Sequence, residues 1–472
     1  MSMTPDQSHL DQSPLDQSRR AFLKRSALLG LAGTATPFVT SLAAIGEAAA
    51  ATASDYKAMV CVFLYGGNDY ANTLIPYDDS SYAAYAAARP NLAYQRFDLA
   101  GSVLNPAAAL PGGRAYALSP AMPELNQLFA AGKMAVALNL GTLIQPTTKA
   151  QYSSGTAKLP PKLFSHNDQQ SFFQASSPEG AASGWGGRIG DVFQSGNGAA
   201  ALTCINASGN AVYLTGRSAI QYAVGTGGPI PLIGGSKTLY GSSSALDSLR
   251  GLMTAQSSFA MANEHARISK RAFDIQAQLS TALAGAPASN FPLFPANNNL
   301  ADQLKMVARM IAVSQTLGLK RQVFFVSMGG FDLHSGLVAS QPVLLAKVSA
   351  AMKAFYDTTA ALGVANQVTS FTASDFGRTL VSNSDGADHG WGSMHFVVGG
   401  AVKGQRFYGK APIVGAGTSD DVGQGRLLPT MSVDQYAATL ASWFGVDSSG
   451  LRTVLPNIGN YDASTWNQGF LG

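Results

Sequence analysis

Runs of consecutive apolar, β-branched and aromatic residues punctuate the chain, and between them apolar positions recur at the spacing of an amphipathic helix. Unbroken apolar runs suit strands covered on both faces. They predict strands over Met59 to Tyr65, Lys133 to Leu140, Ala201 to Ile205, Gln322 to Met328, Gln367 to Phe371 and His395 to Val398. Helical spacing predicts helices over Ala245 to Ala284, Asn299 to Leu317, Pro342 to Leu362 and Val433 to Trp443. This alternation predicts an α/β fold with a mostly parallel central sheet flanked by helices. From Thr215 to Ser244 the chain is rich in Gly, Ser and Pro, and residues 215–245 are expected to be an inserted surface segment with no regular buried element. Within it, Gly234-Gly235-Ser236-Lys237 lacks the Gly-Lys-Ser/Thr ending whose lysine and hydroxyl reach phosphate and Mg²⁺.

The N-terminus changes the picture. Ser18-Arg19-Arg20-Ala21-Phe22-Leu23-Lys24 precedes a weakly apolar stretch and an alanine-rich end, which reads as a twin-arginine export signal over residues 1–52. A mature protein beginning near Ala53 is expected, with residues 53–472 as a single domain. Thr34, Thr36, Pro37, Thr40 and Ser41 make the stretch too polar for a stable span of ~20 apolar residues. The expected location is the periplasm or outside the cell, with the twin-arginine translocase as a partner during export. Substrates of that route generally cross already folded, which suits a protein loaded with metal beforehand. Two cysteines cannot staple a chain of 472 residues; Cys61 and Cys204 are expected to be core thiols, with a single bridge between them left open.

Only 12% of residues are charged, and 31 Lys+Arg face 27 Asp+Glu without a clustered basic stripe, so nucleic acid is set aside. Polar chemistry concentrates in glycine-bearing turns after the predicted strands, the edge where open α/β sheets bind ligands. The first turn is Gly66-Gly67-Asn68-Asp69, in which Asp69 is either a site carboxylate or a turn aspartate bonded to local backbone. The second, Ser165-His166-Asn167-Asp168-Gln169-Gln170, offers Ser165 or His166 as nucleophile or ligand, with a helix N-cap as the plainer role for Ser165. In the third, Gly329-Gly330-Phe331-Asp332-Leu333-His334, the Asp-x-His spacing lets Asp332 and His334 point the same way on extended chain. The fourth runs from Ser374-Asp375-Phe376-Gly377-Arg378-Thr379 through Asn383 to Asp388-His389-Gly390, with His395 beyond. Oxygen and nitrogen donors without cysteine favour Zn²⁺, Mn²⁺, Mg²⁺ or Ca²⁺. Such an ion would activate water or an alcohol and neutralise a phosphoryl or sulfuryl group, while Arg378 or Arg188 could clamp the anion's oxygens. The expected substrate is therefore an anionic ester. The chain has no Gly-x-Ser-x-Gly elbow, His-Glu-x-x-His helix or Cys-x-x-Cys pair.

These motifs resemble the twin-arginine-exported bacterial proteins of domain of unknown function 1501, similar in plan to the alkaline phosphatase and sulfatase superfamily. The resemblance rests on Ser374 to Thr379 continuing through Asn383, Asp388-His389-Gly390, Gly399-Gly400, Val402-Lys403-Gly404 and Tyr408-Gly409, with Ser165 to Gln170, Gly184-Trp185-Gly186-Gly187-Arg188 and Gly66 to Asp69. It implies an early metal-binding Asp at Asp69, a later pair at Asp332 and His334, an acid at Asp375, a final His at His389 and a nucleophile at Ser165. Phe376 stands where the wider superfamily places the histidine of an Asp-His pair. The chain lacks the Cys/Ser-x-Pro-x-Arg setting that formylglycine sulfatases require. The resemblance thus implies a metal-dependent hydrolase of phosphate or sulfate esters, or a non-catalytic surface-polymer or assembly protein on the same fold.

Overall fold

The computed structural model describes residues 55–232 and 238–472. The export signal, the start near Ala53 and Gly234 to Lys237 lie outside the described residues. The strands are β1 (Lys57–Leu64), β2 (Leu74–Pro76), β3 (Tyr116–Leu118), β4 (Met134–Gly141), β5 (Cys204–Asn206), β6 (Tyr222–Gly225), β7 (Gly228–Pro229), β8 (Arg321–Met328), β9 (Val368–Ser374), β10 (Arg378–Ser382), β11 (Ala387–His389), β12 (Ser393–Gly399), β13 (Arg406–Tyr408) and β14 (Met431–Ser432). The main sheet has the order β13-β4-β12-β9-β1-β8-β5-β6-β7, with β14 beside β4. Its strands are parallel except β12, which runs against β9 and β4, and β7, which runs against β6.

The alternating side chains of β1 explain why its run is apolar throughout. Val60, Val62 and Leu64 enter one core with helices Pro123–Ala130, Asn299–Ala312 and Leu337–Ala361. Met59, Cys61 and Phe63 enter a second core on the other face, with Trp185–Phe193 and Val433–Phe444. Each fully buried side chain of this kind contributes about 1.5–3 kcal/mol. Leu64 pairs with Met328 on one side and Ser374 on the other, so β1, β8 and β9 end level. That register brings the loops after all three to one edge.

The structure is α/β with a mostly parallel sheet, and it departs from expectation in detail. The helix expected over Ala245 to Ala284 is two, Ser243–Thr254 and Ala260–Ala284. Between them the Ser257 hydroxyl accepts from the Phe259 N–H, a local bond that competes with helix. The helix from Asn299 stops at Ala312, and the chain turns to Gly318 in a left-handed conformation. Pro342 does not start its helix, which begins at Leu337 after a left-handed Gly336 and carries the proline inside. Part of residues 215–245 joins the sheet, because Tyr222–Gly225 pairs with β5 on one side and with the short edge strand Gly228–Pro229 on the other, and buries Val224. Both cysteines are buried and free. No helix among the described residues is long and apolar enough to cross a membrane.

Candidate metal centre

The common edge of β1, β8 and β9 is shaped by glycine. Gly66 adopts φ +114°, and a Cβ there would overlap the backbone of Phe331 and Asp332; at Gly67, φ +77°, it would strike the Phe376 ring. Only glycine combines this conformation with so close an approach. The loop after β1 therefore lies directly against those after β8 and β9.

His166 begins the helix His166–Ala175 and meets this edge from the side. Its Nδ1 lies 2.6 Å from Asp375 Oδ2, an oxygen that also accepts from Gln170 Nε2 at 2.8 Å. The Gly66 N–H points at both Asp375 oxygens, each 3.2 Å away. The buried Asp375 is thus an acceptor enclosed by donors, and it fixes His166 with the proton on Nδ1. The other nitrogen, Nε2, is buried with no hydrogen-bond partner, 3.4 Å from Asp332 Oδ1.

Asp332 is the meeting point. Besides His166, its Oδ1 lies 3.2 Å from His334 Nε2 and 3.4 Å from His389 Nε2, and it accepts from Arg378 Nη2. The donor atoms of His166, Asp332 and His389 all lie within 4.8 Å of one another. His334 Nε2 is 2.9 Å from His389 Nε2. His334 and His389 are held from behind as His166 is: His334 Nδ1 lies 3.2 Å from Asp388 Oδ1, and His389 Nδ1 lies 2.7 Å from the Phe164 carbonyl. Asn383 Nδ2 secures Asp388 at 2.8 Å. The antiparallel pairing of Arg378 with His389 places that histidine over the edge.

The electrostatics follow from these contacts. The bond to Asp375 raises the His166 pKa, against opposing burial. Burial lowers that of His389; the Phe164 carbonyl opposes this, and the neighbouring His166, Arg378 and His334 push it further down. Burial raises the Asp332 carboxyl, but Arg378 and the nearby histidines outweigh it and leave its pKa below the usual range. Asp388 is lowered likewise, its burial outweighed by hydrogen bonds from Asn383 and His334. The cluster thus keeps anionic oxygens beside imidazole nitrogens, a donor set that suits a divalent cation.

The family described as "Protein of unknown function (DUF1501)" matches residues 56–451. The chain belongs to the DUF1501 family. No curated protein sequence matches it. Among solved structures, a Bacteroides thetaiotaomicron chain from work on the metabolism of multiple glycosaminoglycans, its label ending in 4S-sulf, is 10% identical; the match covers 84% of this chain and 74% of that one, with a TM-score of 0.34. A second, Ps i-CgsB in complex with k-i-k-neocarrahexaose, is 11% identical over 87% of this chain and 77% of the other, with a TM-score of 0.33. At such scores the functional reading of the DUF1501 chain rests on its own geometry.

Of the expected ligands, Asp332, His334 and His389 come together, and His166 joins them. Asp375 does not face the cluster, because its oxygens are taken by Gly66, His166 and Gln170. Asp69 lies apart, in a buried ion pair with Arg89 at 2.6 Å, and caps a turn by accepting from the Ala71 N–H. Ser165 stands at the N-cap position of its helix, but its side chain does not cap it: Oγ donates to Asp168 Oδ2 at 3.0 Å instead of accepting from a helix N–H. The anion-clamp role does not suit either arginine. Arg378 is fully buried and donates to the carbonyls of Gly66, Gly67 and Ala387 and to Asp332, while Arg188 donates to those of Ala175, Ser183 and Val454. Both brace loops. Phe376 packs its ring 4.8 Å from that of His166 and 4.7 Å from that of His389, an apolar wall for the DUF1501 centre. Sequence reasoning named Gln170 within the Ser165 to Gln170 motif without a role, and missed Arg89 and the Phe164 carbonyl; Arg89 carries a signal, being a charged residue next to Pro90 in a chain poor in charge.

Proposed function

We propose that this DUF1501 protein is an exported, metal-dependent hydrolase of phosphate or sulfate esters, acting in the periplasm or outside the cell. The observation that carries the reading is the convergence of three imidazole Nε2 atoms on Asp332 Oδ1 at the carboxyl edge of the sheet, one of them buried without a partner. A divalent cation held there supplies Lewis acidity toward the ester oxygens and makes water a stronger acid. His166, His334, His389 and Asp332 hold it. Asp375, Asp388 and the Phe164 carbonyl keep each imidazole's Nδ1 protonated and its Nε2 aimed inward. Arg378 locks Asp332 against the Gly66 turn.

Charge supports an anionic substrate. Asp332 faces Arg378 and Asp388 lies near Arg426, while the Asp375 carboxylate stands behind His166, so three carboxylates and two guanidiniums with neutral imidazoles leave the centre net negative, and a divalent cation would reverse the sign. Arg426 commits Nε to the His389 carbonyl and Nη1 to that of Gly423, which leaves Nη2 for an ester oxygen. With Ser165 Oγ bonded to Asp168, water is the better nucleophile.

The test is metal analysis of protein purified without chelator, beside a screen of aryl phosphates, phosphodiesters and aryl sulfates. Bound metal with turnover, both lost in Asp332→Asn, is the expected result. A folded, metal-free and inactive protein that binds polysaccharide would instead assign it to surface-polymer binding or assembly. Replacing Arg19 and Arg20 with lysines should keep the protein in the cytoplasm, as cell fractionation would show.

A further inference from the structure

We infer that the centre is built for one nitrogen-seeking transition-metal ion of the zinc type, held by the Nε2 atoms of His166, His334 and His389 and by Asp332 Oδ1, and not for Mg²⁺ or Ca²⁺. The inference rests on the metal-dependent reading above and narrows it. Three features of the cluster carry it.

The first is the tautomer of each ring. Each Nδ1 has an oxygen acceptor, namely Asp375, Asp388 or the Phe164 carbonyl, so each Nδ1 holds the proton and each Nε2 holds a lone pair. Lone pairs on His334 Nε2 and His389 Nε2 then face each other across 2.9 Å. A proton or a cation must sit there to offset the repulsion, and a cation would at the same time engage the buried His166 Nε2, which has no hydrogen-bond partner.

The second is spacing. Ligands about 2.0–2.1 Å from a tetrahedral ion stand about 3.3 Å from one another. Four of the six distances among these atoms are 2.9, 3.2, 3.4 and 3.4 Å, and the donors of His166, Asp332 and His389 lie within 4.8 Å of one another, so His166 closes in on the others when an ion is bound. The Arg378 guanidinium occupies one lone pair of Asp332 Oδ1 and leaves another for the ion.

The third is donor chemistry. Mg²⁺ and Ca²⁺ take six or more oxygen ligands, and Mg²⁺ also gives up its water reluctantly, whereas imidazole suits zinc, iron, nickel and copper. A set of three imidazoles and one carboxylate is a poor cage for a hard cation. His334 and Asp332 are about half exposed, so the solvent side stays open for a fifth partner such as an ester oxygen or water.

The experiment strips the mature protein with chelator, reloads it with Zn²⁺, Co²⁺, Mg²⁺ or Ca²⁺, and reads stoichiometry by mass spectrometry and the visible spectrum of the Co²⁺ form. The expected result is a single Zn²⁺ or Co²⁺ per chain, retained against a large excess of Ca²⁺ and Mg²⁺, with the strong visible bands of low-coordinate Co²⁺. Asp388→Asn should weaken binding about 10–100-fold. His334→Gln and His389→Gln should weaken it further, each with an unchanged circular dichroism spectrum in chelator. Preferential filling by Ca²⁺ or Mg²⁺, no metal uptake, or Zn²⁺ binding indifferent to both histidine variants would overturn the inference. Ester turnover supported by Ca²⁺ would sink this inference and leave the hydrolase standing, whereas stoichiometric zinc without any turnover would do the reverse.

Discussion

His395 should make the protein acid-labile, and by a calculable amount. The ring is enclosed on β12, between Phe173 at 5.5 Å and Tyr436 at 6.4 Å, and among the described residues its hydrogen-bond partner is the Thr372 hydroxyl at 3.3 Å. Among the described residues no carboxylate compensates a charge there, and burial pushes its pKa down to about 3. An unfolded histidine titrates near 6.5, so between those values the unfolded chain binds more protons than the folded one. The stabilisation is therefore complete above about pH 6.5 and lost as pH falls toward 3. At ~1.4 kcal/mol per unit the loss reaches roughly 3 kcal/mol at pH 4 and 4–5 kcal/mol near pH 3. Urea unfolding of the wild type, His395→Gln and His395→Met at several pH values from 4 to 7.5 reads this directly. Any constant packing penalty of the variants cancels in the pH difference. If both variants lose stability on acidification as steeply as the wild type, the argument from burial fails.

Asp434 should act in the opposite sense. Burial raises its pKa to about 6, although Ser176 and the Asn457 N–H donate to it, so stability is full below about pH 4 and falls by roughly 3 kcal/mol as pH rises through 6. Asp434→Asn should abolish that fall in the same urea series, and an unaltered slope would contradict it. Arg89→Met leaves the Asp69 carboxylate buried alone and should cost about 3–5 kcal/mol, with Asp69→Asn in the same chain restoring part of it; a near-neutral single variant would show that the pair is not enclosed. Gly66→Ala forces a left-handed alanine against Asp332 and should destabilise by about 1–3 kcal/mol while lowering metal content; unchanged melting and metal would refute the close packing of the two loops.

Much of the fold was legible because burial on both faces leaves a plain trace: the apolar runs at β1, β4, β8 and β9 lie within a few residues of their observed bounds. The helix break at Ser257 and the strand at Tyr222 were not, since each depends on which local or tertiary partner wins. At the site, the residue types and turns could be read from glycine, aspartate and histidine in a chain poor in charge. Their ranking could not. Asp375 and Asp332 look alike in sequence, yet one has its oxygens filled by Gly66, His166 and Gln170 while the other turns an oxygen to three imidazoles. Asp69 looked like a ligand for the same reason, and only the position of Arg89 separates the two roles.

The central position of β1 has a consequence for how the protein is made. This strand leaves the ribosome early, but its partners are residues Arg321 to Met328 and Val368 to Ser374, some 260 to 310 positions later. At about 5–20 residues per second, both its edges wait roughly 15 seconds to a minute for their neighbours. During that interval an apolar ribbon with unpaired N–H and C=O groups is open to other nascent chains, so biosynthesis should depend on a holding chaperone more than the finished molecule's stability would suggest.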